Sequence, residues 1–226
     1  MSRQIIKYES RNGFIDHMRP MLSVVPDWYK KTKRWVTDEN GQEWPGVKHC
    51  IPFLESLTLG YTIVLEESVY VQRTENGVII RYNNPKEPVV NNRPSAVTDP
   101  SPVPEGYEDE HFIWFANITV RPPDGYSLLY THPLNRWDLP FLTSSAVVDD
   151  YVMPGANMSF FIKKGFEGEI PKGTPIAQVI PFKREEWVAK STKGLWDIAD
   201  TTVKAPISEL LNGHYRKNFW KKKVYK

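Results

Sequence analysis

The chain has 226 residues, with 29 Lys/Arg against 27 Asp/Glu and a single cysteine. That length buries a sizeable core without staples. The lone Cys50 excludes an intramolecular disulfide and a cysteine-rich zinc site, and no run approaches the roughly 18 apolar residues that span a bilayer.

The opening, MSRQIIKYESRNGFIDHMRP, has no apolar stretch of signal-peptide length, so the expectation is a soluble protein that is not secreted, in a reducing compartment or a particle assembled in one. Charge is uneven. Residues 183–226 hold 11 Lys/Arg against 5 Asp/Glu, net +6, and the remainder 18 against 22, net −4. A basic appendage, 185–226, therefore follows a mildly acidic body. Eight Trp, 19 Pro and 13 Gly point to many short strands with ordered loops and few helices.

In chain order, PMLSVVPDWYKKTKRWVTDENGQEWPG (Pro20 to Gly46) mixes proline, aromatics and cations with no sustained period. It predicts an irregular arm, 1–50, with one helical turn started by Pro26 and Asp27. Cys50 is expected as a small core residue. A β domain spans 51–184. Tyr61 to Leu65 and Val69 to Gln72 read as strands, and Glu75-Asn76-Gly77 as a hairpin turn into Val78 to Tyr82, because Asn-Gly supplies positive φ. Residues 84–110 carry six prolines and an acidic end, which predicts an excursion over the surface. HFIWFANITVRPP reads as two strands and GYSLLYTHPLNR as a strand entering a loop. MSFFIKKGFEGEIPKGTPIAQVIPFKREEW reads as a strand, a glycine-containing hairpin, a turn at Lys172-Gly173 and a strand from Ile176 to Phe182. A short helix is expected near Pro206, with Ser208 as its cap.

SSAVVDDYVMPG, Ser144 to Gly155, places two carboxylates after a run of small apolar residues that reads as a buried strand. Asp149 and Asp150 either cap the strand's exit by accepting backbone N–H groups or fix an attacking water at the end of a rigid element.

Taken in order, LGYTIVLEESVYV, PPDGYSLLY, SSAVVDDYV and EIPKGTPIAQVIPFKR resemble the landmarks of the dUTPase and dCTP deaminase superfamily, a β-clip fold. The best matches are Ala146-Val147-Val148-Asp149-Asp150-Tyr151 and Gly173-Thr174-Pro175-Ile176-Ala177-Gln178. The resemblance covers about 51–184 and implies a mainly β barrel or sandwich core. It also implies a trimer, with Asp149 beside the nucleotide sugar and Gln178 reaching phosphate. The whole chain, with its VPDWYKK arm and KHCIPFLESLTLGY start, also resembles an uncharacterised family carried by phages and some aquatic bacteria.

Three departures from the superfamily stand out. Thr62 replaces a carboxylate that organises magnesium. The phosphate loop reads THPLNRWDLPF, so that His132, Asn135 and Arg136 stand where an Arg-Ser-Gly is expected. The glycine-rich C-terminal segment with its stacking Phe is replaced by lysines and aromatics. The expectation is a scaffold that has lost turnover, with no cofactor, and Mg²⁺ only if the chain is an enzyme. On that reading the chain is a structural or interaction protein of phage type, a virion accessory or decoration component by analogy with other β-clip proteins. The alternatives are a divergent nucleotide pyrophosphohydrolase or deaminase-like enzyme using Asp149, and a protein that sequesters nucleotides without turnover.

The five histidines show no metal-site spacing, and no Walker loop or Gly-x-Ser-x-Gly is present. HYRKNFWKKKVYK interleaves Arg216, Lys217, Lys221, Lys222 and Lys223 with Tyr215, Phe219, Trp220 and Tyr225. Cations beside aromatics fit nucleic acid or an acidic protein surface, and equally a tail whose rings pack on the body or a neighbouring subunit.

Overall fold

The computed structural model describes residues 4–11, 13–84, 87–93, 102–149, 157–203 and 213–226. Asp150, Tyr151, Pro154-Gly155 and the helix expected near Pro206 lie outside them. The strands in chain order are β1 (Lys7–Ser10), β2 (Met18–Pro20), β3 (Trp35–Thr37), β4 (Glu43–Pro45), β5 (Tyr61–Val64), β6 (Val69–Thr74), β7 (Gly77–Tyr82), β8 (Val90–Arg93), β9 (His111–Phe115), β10 (Ile118–Arg121), β11 (Tyr126–Thr131), β12 (Phe141–Thr143), β13 (Ala146–Val148), β14 (Asn157–Ile162), β15 (Gly168–Ile170) and β16 (Pro175–Lys183). The helices are α1 (Asp27–Lys31), α2 (Ile51–Thr58), α3 (Leu195–Val203) and α4 (His214–Asn218). The protein is mainly β, as expected, and among the described residues every strand pair is antiparallel.

The chain divides into two units. One comprises Met1–Val24, Leu59–Arg184 and Tyr225–Lys226, the other Val25–Thr58 and Glu185–Val224. In the first, a five-stranded sheet runs β13-β11-β16-β5-β2 and a four-stranded sheet β12-β14-β9-β8, with smaller sheets β15-β6-β7 and β1-β10. None closes into a barrel among the described residues. The core forms where continuous apolar runs meet. β9 is buried from His111 to Trp114, and the Trp114 indole stacks on Phe160 of β14 with centroids 3.7 Å apart while Phe141 of β12 meets it edge-on at 5.1 Å. β16 is buried over Pro175 to Val179. Its Pro181 is tolerated because β5 pairs with β16 only as far as Val179, so no strand on that side requires a donor there.

The hairpin of β6 and β7 forms as its alternation predicts, with Thr74 opposite Gly77 and Gly77 at φ 118°. At Gly60, which precedes β5 at φ 72°, the Val179 carbonyl lies 2.3 Å from where a Cβ would stand, so only glycine lets β5 approach β16.

In the second unit β3 and β4 form a hairpin whose turn is organised by Asp38, which accepts from the N–H groups of Asn40 and Gln42, both at 2.9 Å. The expected turn at Pro26-Asp27 is α1, and Phe53 of α2 stacks on its buried Tyr29. Helix α2 has no counterpart among the sequence expectations. Pro52 suits its first turn and Leu57 is its buried anchor.

Three expectations are corrected. Cys50 is exposed rather than in the core: it closes a 3-10 turn by donating its N–H to the Val47 carbonyl, at a surface junction before α2. The proline-rich excursion is not wholly superficial, since β8 pairs with β9 and both Val89 and Val90 are buried. The strand of SSAVV exists but is not buried. Among the described residues it is, as β13, the outer strand of its sheet, with only β11 beside it, and Val147 is 61% exposed.

Candidate functional site

The residues expected to contact a nucleotide lie at two places along β11. Past its C-terminal end, the loop of residues 132–138 is held by Gln178, which stands opposite Thr131 in the register and is fully buried. Gln178 Oε1 accepts the Leu134 N–H at 2.8 Å, and its Nε2 donates to the Leu59 carbonyl at 2.7 Å. His132 Nδ1 accepts from the Thr143 N–H at 3.3 Å, which leaves Nε2–H to donate to the Arg136 carbonyl at 3.1 Å. Burial lowers the His132 pKa from its ordinary value, partly opposed by the hydrogen bond to the Arg136 carbonyl. Asn135 takes the left-handed conformation that turns the loop, at φ 58°. The buried Arg136 grips Asp138 with Nε at 2.9 Å and Nη2 at 2.9 Å, and its Nη1 reaches the Val24 carbonyl at 3.4 Å.

At the other end of β11, Asp149 follows β13. It accepts from the buried Ser127 hydroxyl at 2.5 Å, and Arg184 stands 3.7 Å from the same oxygen. Ser127 and Thr131 are four residues apart on one strand, roughly 13 Å at 3.3 Å per residue. A ligand joining Asp149 to the loop must span about that distance. Among the described residues Asp149 accepts no backbone N–H, as strand-end capping would have it; through the Ser127 hydroxyl its carboxylate ties the edge strand β13 to β11. Thr62, which the resemblance sets where a magnesium-organising carboxylate is expected, is fully buried and donates to the Ala177 carbonyl at 2.9 Å. Among the described residues no three His, Cys, Asp or Glu side chains group to hold a metal ion.

Sequence reasoning missed Ser127, Arg184 and Asp138. The Arg136-x-Asp138 spacing within a proline-flanked loop was the available signal, since a turn brings such residues together. A cleft of about 130 Å³ lies beside β13, lined by Ile118, Val120, Tyr130, Ala146, Val148 and Met158, with Ser144 and Ser145 at its polar side. Burial pushes the Tyr130 phenol well above its ordinary pKa.

The basic tail is partly anchored. Lys223 Nζ contacts both Glu55 oxygens at 2.8 Å. Burial alone would raise the Glu55 pKa, but the hydrogen bond and the charge of Lys223 hold it below its ordinary value. The Arg216 guanidinium lies 5.8 Å from the Trp220 ring centroid, while Lys217, Lys221 and Lys222 are exposed. Tyr225 packs edge-on against Tyr61 at 5.6 Å.

No family model and no curated protein matches the chain. Among solved structures it is similar to a mutant dUTPase from phage phi11 of S. aureus, over 84% of this chain and 98% of that one, at 9% identity and a TM-score of 0.37. That protein is described as coordinating a structural Mg(II) ion. Among the described residues of this chain no helix is long and apolar enough to cross a membrane.

Proposed function

We propose that this chain is a non-catalytic β-clip protein of phage type that works as a structural or interaction module. It docks on further copies of itself, as a trimer, or on other phage proteins, as a capsid or tail accessory or decoration component. The observation that carries this reading is the segment after β16. Trp187 is 84% exposed and Trp196 82%, and Val188, Leu195 and Ile198 stand open beside them in sequence. Large apolar side chains held open this close in sequence are costly in water and mark a segment that a partner covers. The loop of residues 132–138 supports the loss of turnover, because Gln178, His132 and Arg136 bond to the chain's own carbonyls, amides and carboxylate.

A second reading, a nucleotide pyrophosphohydrolase or a deaminase-like or nucleotide-sequestering protein, is favoured by one feature: a solvent-facing Asp149 fixed by Ser127 and Arg184. On that reading His132, Asn135, Arg136 and Gln178 reach phosphate, with Mg²⁺ as the companion ion.

Sedimentation velocity across a concentration series is the primary test. The chain is expected to self-associate and the Trp187→Ser/Trp196→Ser variant to shift toward monomer. A chain that stays monomeric and binds no virion component overturns the proposal. So does release of phosphate or ammonia from a nucleotide panel with Mg²⁺ that disappears in Asp149→Asn.

A further inference from the structure

The second unit contains a cleft of about 270 Å³ lined by Arg34, Lys48 and Arg216 together with Tyr29, Ile51 and Leu54. None of these residues takes part in the docking segment or the loop of residues 132–138. Arg34 comes from the turn before β3, Lys48 from the 3-10 turn before α2 and Arg216 from α4, so three separate elements deliver a cation to one concavity. Among the described residues no carboxylate lines it. Among the described residues these cations form no ion pair. Lys48 Nζ donates to the Lys30 carbonyl at 2.7 Å and stands 5.9 Å from the Tyr29 ring centroid, and Arg216 lies over the Trp220 ring. By contrast, Lys30 and Lys223 in the same unit have carboxylate partners in Asp27 and Glu55. Three like charges in one cleft repel each other and raise the local potential, a cost that a bound anion reverses. The planar guanidinium groups of Arg34 and Arg216 match the paired oxygens of a phosphate. Ile51 and Leu54 give the remaining wall an apolar character.

We propose that this cleft binds a small phosphomonoester, its phosphate on Arg34, Lys48 and Arg216 and its uncharged remainder against Ile51 and Leu54. The free energy comes from pairing charges that the fold leaves side by side, so affinity falls as salt rises.

Calorimetric titration of the full chain tests this with inorganic phosphate, adenosine monophosphate, adenosine and a 12-nucleotide single-stranded DNA as probes. Expected is binding of adenosine monophosphate, weaker binding of inorganic phosphate and none of adenosine. Losing two charge-assisted contacts in Arg34→Gln/Arg216→Gln should weaken the monophosphate by about tenfold or more. Both arginines are exposed, so the double variant should keep the parent's unfolding midpoint, which checks that lost binding is not lost fold. Binding that survives the double variant overturns the proposal, as does no binding of either phosphate compound at millimolar concentration. Binding of inorganic phosphate alone reduces the cleft to a simple anion site, and DNA binding more tightly than the monophosphate makes it a nucleic-acid groove; either result also overturns it. Asp149→Asn should leave the titration unchanged, so this result stands or falls separately from any turnover at Asp149.

Discussion

Gln178 has a structural role, because its surroundings engage both ends of its amide. Its amide is fully buried, and its two ends satisfy a backbone N–H and a backbone carbonyl that would otherwise lie unpaired. Replacing it by an apolar side chain of similar size leaves both partners desolvated, at about 1–3 kcal/mol for each group. Gln178→Leu should therefore lower stability by about 2–4 kcal/mol in urea unfolding; a loss under about 0.5 kcal/mol would show that water restores both bonds. The strand carrying it, expected from Ile176 to Phe182, was legible, and the resemblance assigned Gln178 to phosphate. The bonds to Leu134 and Leu59 were not legible, because they join residues 44 and 119 positions away and no local pattern encodes such pairings. Arg136 follows the same logic: its charge was visible, and its pairing with Asp138 depended on the path of the loop.

At the scale of elements, local chemistry made some structure readable and left other structure hidden. The β6–β7 hairpin was legible because Asn76-Gly77 and the alternation around it agree. The exposure of β13 was not, because Ala146-Val147-Val148 reads alike in the middle of a sheet and at its rim, and only the missing neighbour distinguishes them. Helix α2 was hidden by its brevity, since eight residues give barely two turns of periodicity. The join of β5 to β16 offers a direct check. Gly60→Ala places a methyl group against the Val179 carbonyl and holds alanine at positive φ. The backbone term alone costs about 1–3 kcal/mol, so the variant should unfold at lower urea concentration by at least that margin. A midpoint equal to the parent's would mean that β5 can shift away from β16 at no cost.

Across the whole molecule, the two units draw on segments far apart in sequence: Lys223 meets Glu55 across 168 positions. Composition could locate the basic appendage but not what it packs on. The histidines provide a global readout in the larger unit. His17, His111 and His132 all have pKa values below the ordinary 6.5, burial being the leading cause in each; Glu66 partly opposes it at His17, and the Arg93 charge reinforces it at His111. The folded state therefore resists protonation while the unfolded chain takes up protons below about pH 6.5. Stability from these sites is present above pH 6.5 and drains as pH falls through the folded values, at no more than about 1.4 kcal/mol per pH unit for each histidine. Thermal unfolding should therefore move to lower temperature from pH 7 to pH 5, and His132→Asn should flatten part of that slope. A midpoint that rises on acidification would contradict the assignment.

The exposed thiol of Cys50 is the only one in the chain. Oxidation can consequently yield just one covalent species between folded molecules, a symmetric pair joined at residue 50, and a maleimide dye can attach at just one position. That position adjoins His49 and Ile51, both on the wall of the cationic cleft, so a fluorophore coupled there would sit at its rim and change its emission as the cleft fills.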